Sequence, residues 1–291
     1  MLCWGSAYVP SAWMMRDLSP LAAAAVRLGL AGGALVAWQA VRGRPVGPGV
    51  PWGVVAWLGL TQTALFYGGT YWGIRHESAG LAAVIANTDP LFVALLGSVL
   101  LGERLAGRQW AGIAVGFAGA ALAASPDLTH PRFSVAALVV LVGAAAWGIG
   151  TITAARHMRR SGSVLGLAGW QMVTGAGLLL AASFAAGAPP GPVGARTAAV
   201  SLATALVGSA VPLALFYAAL RTGHAGELSA LFFLVPVVGV LTAWPLLGET
   251  PTLGLGLGLV AVAIGLVMVL APPRGDVLVP SHDHDDDPRP G

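Results

Sequence analysis

The chain has 291 residues, 56% of them hydrophobic and only 9% charged, with a mean hydropathy of +0.79. Soluble domains carry about 25% charged residues, so an ordinary water-soluble enzyme is excluded. The fifteen basic residues are all scattered arginines, which gives a net charge of +3 without a nucleic-acid-binding stripe. The lone cysteine, Cys3, excludes an intramolecular disulfide and any cysteine-based metal cluster.

A membrane span needs about twenty mainly apolar residues, since the hydrocarbon is about 30 Å thick and each helical residue rises about 1.5 Å. In chain order the apolar runs are Met1–Met15, Leu21–Val41, Trp52–Ile74, Leu81–Leu101 and Trp110–Ala124. After a connection come Phe133–Ala155, Val164–Ala186, Ala198–Leu220, Leu228–Leu247 and Leu253–Leu270. None alternates apolar with polar as a lipid-spanning β-barrel strand does. The expected fold is therefore an all-α integral membrane protein with ten transmembrane helices. The first run, which carries Trp4 and Tyr8, is short, so the chain is expected to start inside its first helix; a signal peptide is the alternative, without a basic leading region to support it. Residues 272–291 change composition abruptly and read as a disordered cytoplasmic tail, in which His282, Asp283, His284 and Asp285–Asp287 are solvated rather than metal-binding.

The sequence repeats itself. A shift of 146 superimposes Tyr71 on Tyr217, Arg75 on Arg221, Ala79-Gly80 on Ala225-Gly226, and Pro90 on Pro236. It also places Gly102-Glu103 on Gly248-Glu249, Gly112 on Gly258, and Gly119 on Gly265. Shifts of 143 and 144 bring Trp4-Gly5 onto Trp147-Gly148 and Arg27 onto Gln171. The chain thus reads as a five-helix repeat over residues 1–124, a connection at 125–132 and a second repeat at 133–271. Five is odd, so the second copy enters the membrane upside down, the inverted-repeat plan of many secondary transporters. With a cytoplasmic N-terminus, ten arginines fall inside, four fall outside, and Arg27 lies within the membrane; the positive-inside rule then puts both termini in the cytoplasm.

The Trp4-Gly5-Ser6 and Trp147-Gly148 openings, Pro90 and Pro236, and the Gly102-Glu103-Arg104 and Gly248-Glu249-Thr250 endings together resemble the drug/metabolite transporter superfamily. The match is to its EamA-type branch with two tandem EamA domains, and it covers residues 1–271. The resemblance implies a plasma-membrane carrier, commonly an exporter of amino acids, related metabolites or drugs.

Charges at bilayer depth are expensive and therefore mark candidate function. Only Asp89 among the acidic residues and Arg27 among the arginines are interior, each about 10–12 Å from the same face by helical rise. Two readings stand: a substrate site, with Arg27 taking a carboxylate and Asp89 an amine or proton, or a buried ion pair locking two helices. An arginine partner would keep Asp89 ionised, whereas an unpaired carboxyl in a dry cavity suits proton coupling. Pro90 and Pro236 are expected to kink their helices and free carbonyls near Ala86 and Phe232. Asn87 adds a polar group there, and Gln62, Tyr67, Trp147 and Gln171 complete the expected substrate-binding set. Tyr71 and Tyr217, near span ends, read as members of an interfacial aromatic belt. Gly112, Gly116 and Gly119 read as helix packing or as the contact of a homodimer, and Glu103 and Glu249 as closing helix ends. No triad, zinc spacing or P-loop occurs in the sequence. The expectation is therefore a secondary carrier of a small molecule, with no cofactor, metal, ATP or nucleic acid. A passive facilitator and, in a different class, a membrane-embedded non-transport subunit are the competing readings.

Overall fold

A computed structural model describes residues 1–101, 105–124, 134–158, 163–222 and 234–270. Among these residues the secondary structure is entirely helical. Six helical stretches among the described residues are long and apolar enough to cross a membrane: Pro20–Val41, Ala79–Val99, Val135–His157, Val164–Ala185, Ala195–Ala219 and Leu253–Leu270. Polarity is arranged as lipid requires. Large apolar side chains such as Val135, Leu215 and Leu253 face outward, while Arg27, Gln39, Asp89 and Gln171 are buried.

Helices α1 (Leu2–Gly5) and α2 (Tyr8–Met14) form a broken first rod. Helix α3 (Pro20–Val41) starts where Ser19 accepts the Ala22 N–H at 3.3 Å and Pro20 occupies the first turn, a position where its missing amide is harmless. Helices α4 (Trp52–Leu58) and α5 (Phe66–His76) are joined without interruption by a π-helical segment, Gly59–Leu65. Helix α6 (Ala79–Ala86) is capped by Ser78, and α7 (Asp89–Leu101) follows after Asn87-Thr88. Helix α8 (Gly107–Ala123) ends the first half.

The second half repeats the plan. Helix α9 (Val135–Met158) is followed by α10 (Val164–Ala185), which is capped by Ser163. Helices α11 (Ala195–Ala205) and α12 (Val211–Thr222) again flank a π-helical segment, Leu206–Ala210. Helices α13 (Leu234–Leu247) and α14 (Leu253–Leu270) complete the described chain. Shifted by 146, Leu206–Ala210 falls on residues 60–64, inside the first π segment. Such segments recur at functional positions because they leave carbonyls outside the regular ladder.

The continuous fourth span expected from hydropathy is broken. Asn87 Nδ2 donates to the Ala83 carbonyl at 2.7 Å, and Thr88 Oγ1 donates to Ile85 at 2.7 Å. These side chains share carbonyls that the backbone N–H groups of Asn87 and Thr88 also bond, at 3.3 and 3.1 Å. Pro90 has no N–H to offer Ala86 and sits in the first turn of α7, where none is needed. It therefore completes a helix break rather than kinking a helix interior. Pro236 likewise lies early in α13, and the proline inside that helix is Pro245.

The halves pack through corresponding positions. A Cβ at Gly112 would lie 2.9 Å from the Gly265 carbonyl oxygen, and one at Gly265 would lie 2.6 Å from that of Gly112. Gly119 and Gly258 are paired in the same way, at 2.9 and 2.5 Å. Thus α8 and α14 run antiparallel at backbone contact, and the glycine stripe is consumed within the chain.

The cap serines follow suit: Ser19 Oγ lies 3.2 Å from Ser183 Oγ, and Ser163 Oγ lies 2.6 Å from the Gln39 amide. Positions 19 and 163, like 39 and 183, are 144 apart. A Cβ at Gly5 would meet Val238 Cβ at 2.7 Å on α13, and one at Gly148 would meet Phe92 Cβ at 2.9 Å on α7; Phe92 and Val238 are 146 apart. These contacts exchange positions under the shifts that relate the two halves of the sequence.

Candidate functional site

A buried cavity of about 50 Å³, room for a few waters, lies where the first rod, α3, α5, the α6–α7 break, α9 and α13 converge. Its polar lining is Arg27, Ser11, Thr70, Tyr71, Tyr8, Asn87 and Asp89; Trp4, Phe66, Tyr67 and Trp147 supply aromatic walls. Val235, the repeat counterpart of Asp89, also lines it.

Arg27 is 3% exposed and held by neutral groups, with one Nη2 N–H beyond the bonds they make. Its Nε donates to Ser209 Oγ at 2.7 Å and Nη2 to the Gly208 carbonyl at 2.7 Å. Nη1 donates to Ser11 Oγ at 2.9 Å and to Tyr71 Oη at 3.4 Å. The guanidinium also stands 5.4 Å from the centre of the Tyr67 ring. Gly208 and Ser209 belong to the second π segment, so Arg27 of one half is anchored on irregular backbone of the other.

Asp89 is 5% exposed and begins α7, where aligned N–H dipoles favour negative charge. Arg27 and Asp89 share the cavity without forming an ion pair. Beside Asp89, Asn87 Nδ2 donates to Tyr8 Oη at 3.2 Å.

The aromatic wall is interlocked. Trp147 meets Trp4 edge-on at a centroid separation of 6.0 Å and Phe66 at 4.6 Å. Such pairs add to the area they bury and fix ring orientation.

Of the expected set, Arg27, Tyr67, Asn87, Asp89 and Trp147 therefore meet at one cavity. Gln62 and Gln171 do not line it. They meet Tyr217 instead: Tyr217 Oη is 2.6 Å from Gln62 Oε1 and also bonds the Gln171 amide, while Gln62 Nε2 donates to Thr151 Oγ1 at 3.0 Å. A phenol has one proton to donate, so one of the two amides presents its own N–H to Tyr217. Phe232 lies outside the described residues, as do Glu103 and the acidic tail.

Tyr71 and Tyr217 are both fully buried, not interfacial. Among the tryptophans, Trp38, Trp52, Trp72, Trp110 and Trp244 are exposed near helix ends. Sequence reasoning missed Ser11, Gly208 and Ser209. The available signal was the pair of polar counterparts Thr63 and Ser209, one in each π segment.

A polytopic helical bundle, apolar outside and polar at one buried cavity, is the form of a membrane transporter. The EamA-like transporter family model matches residues 1–125 and again residues 134–271, so the chain belongs to that family. A probable terminal-alkyne amino-acid exporter of Streptantibioticus cattleyicolor is 33% identical over 238 residues, covering 81% of this chain and 76% of that protein. An uncharacterized transporter of Synechocystis is 30% identical over 252 residues, covering 80% and 76%. A WAT1-related chloroplastic protein of Arabidopsis thaliana is 31% identical over 258 residues, 85% of this chain; the match spans only 62% of that longer protein. A solved crystal structure shares the fold with a TM-score of 0.67 at 18% identity, covering 92% of this chain and 94% of the other.

Proposed function

We propose that this EamA-family transporter is a secondary carrier that exports small amino-acid-like metabolites or amphipathic drugs by alternating access, coupled to protons at Asp89. Its ten transmembrane helices form two inverted five-helix repeats in the plasma membrane, with both termini in the cytoplasm. The antiparallel α8–α14 contact and the exchanged contacts of Ser19, Ser163, Gly5 and Gly148 support the inverted arrangement.

The observation that carries the functional reading is the shared cavity of Arg27 and Asp89. A guanidinium and an ionisable carboxyl share one aromatic-walled space without forming an ion pair. A zwitterionic cargo offers each a partner: carboxylate to Arg27 and amine toward Asp89. When cargo is absent, a proton on Asp89 replaces the amine. The exporter named among the relatives acts on an amino acid, which agrees with this reading.

The test is a metabolite screen of spent medium from cells overexpressing or lacking the protein. One amphipathic compound accumulating with expression, and lost in Asp89→Asn, supports the proposal. Identical media from both strains would overturn it.

A further inference from the structure

Helix α13 ends at Gly248, whose φ of +73° turns the chain back on itself. That conformation suits glycine alone, because a side chain there strains the backbone. The turn aims Glu249 across the boundary between the halves. Its Oε1 accepts the Ala79 N–H at 2.8 Å and its Oε2 accepts the Gly80 N–H at 2.9 Å.

These N–H groups belong to the first turn of α6 and have no partner within that helix. The next amide, Leu81 N–H, is taken by Ser78 Oγ at 3.0 Å. Helix α6 therefore receives one cap from its own chain segment and a bidentate, charge-assisted cap from the opposite half. Its far end is the Asn87–Asp89 break, eight helical residues or about 12 Å away. Ile74, on the helix that precedes α6, lines the cavity.

We infer that Glu249 is a latch: its carboxylate bridges the halves and holds the Ala79 end of the cavity shut. This rests on the alternating-access reading, in which that end opens to one side of the membrane. Opening separates the α13–α14 turn from the start of α6 and breaks both hydrogen bonds together. Helix α6 thus has the Glu249 contact at its start and the Asn87–Asp89 break at its end.

Two substitutions attack the latch from opposite sides. Glu249→Gln removes the charge and one acceptor. Ala79→Pro removes the N–H bonded to Oε1 at the first helical position, where proline is favoured and where Ser78, with φ −154° and ψ 159°, already has the backbone a following proline requires.

Both are placed in a Cys3→Ala background with Ile74→Cys as reporter. Labelling by a membrane-impermeant maleimide is followed in right-side-out and inverted vesicles. Each variant is expected to raise the labelling rate from one side about tenfold or more, since both hydrogen bonds involve a charged group. A well-inserted variant labelled at the parent rate would overturn the latch, and Ala79→Pro decides alone if Glu249→Gln fails to insert. Labelling needs no cargo, so a negative metabolite screen with accelerated labelling removes the export reading while leaving the latch intact.

Discussion

Tyr71 and Tyr217, 146 positions apart, hold corresponding places in the two halves and bond corresponding groups. Tyr71 accepts from Arg27, and Tyr217 bonds the Gln171 amide; positions 27 and 171 are themselves repeat mates. Each cluster also reaches the π segment of the half opposite its α3 or α10 residue. Arg27 does so at Gly208 and Ser209, and Gln171 does so at Gln62 through Tyr217. One copy keeps a charge and lines the cavity; the other has become a neutral brace. The difference separates binding from structure and yields distinct expectations for the two tyrosines.

Tyr217→Phe deprives two buried amides of their common partner. An unsatisfied buried polar group costs about 1–3 kcal/mol, so thermal unfolding of the purified protein should show a clear loss of stability. Export by the remaining folded protein should stay close to the parent rate. Tyr71→Phe should be milder in unfolding, since Arg27 keeps three shorter hydrogen bonds.

Arg27→Lys keeps the charge and discards the planar fork. An ammonium cannot reach Ser209, Ser11 and Gly208 in the same geometry, nor present a bidentate face to a carboxylate. The initial rate of export of the compound found by the screen should fall about tenfold or more. A rate within twofold of the parent would remove Arg27 from the cargo site.

Asp89→Asn retains size and hydrogen bonding but cannot exchange a proton. The variant should insert at the parent level, yet uptake driven by a pH gradient into inverted vesicles should vanish. Unchanged pH dependence would dismiss Asp89 as the coupling group.

Gly112→Val should disrupt folding, because its Cβ would lie 2.7 Å from Met268 Cβ and 2.9 Å from the Gly265 carbonyl oxygen. Overpacking of this kind costs about 1–3 kcal/mol. The oligomeric state of whatever folds, measured by light scattering in detergent, should match that of the parent.

Where both ends of an apolar run fall among the described residues, hydropathy located the helical stretch to within a few residues, because burial in lipid depends on composition over a long window. It could not place the break at Asn87-Thr88 or the two π segments. Those depend on which carbonyl each N–H and side chain chooses, as when Asn87 and Thr88 claim Ala83 and Ile85. Arg27 and Asp89 were legible as buried interior groups because charge within a span is conspicuous. Their lack of an ion pair was not, since it follows from Ser209 and Gly208, some 180 residues from Arg27, reaching the guanidinium first. The tyrosines misled because a phenol suits both a membrane interface and a polar interior, and only the distant Gln62 and Gln171 decide between them.

The most direct measurement concerns the opposed orientation of the halves. Gly47 and Gly191 are repeat mates in exposed connections, with open space around each. Single cysteines placed there in a Cys3→Ala background can be labelled with an impermeant maleimide in vesicles of both orientations. Inverted halves predict that position 47 reacts only from the cytoplasmic side and position 191 only from the other. Reaction of both from the same side would contradict the account.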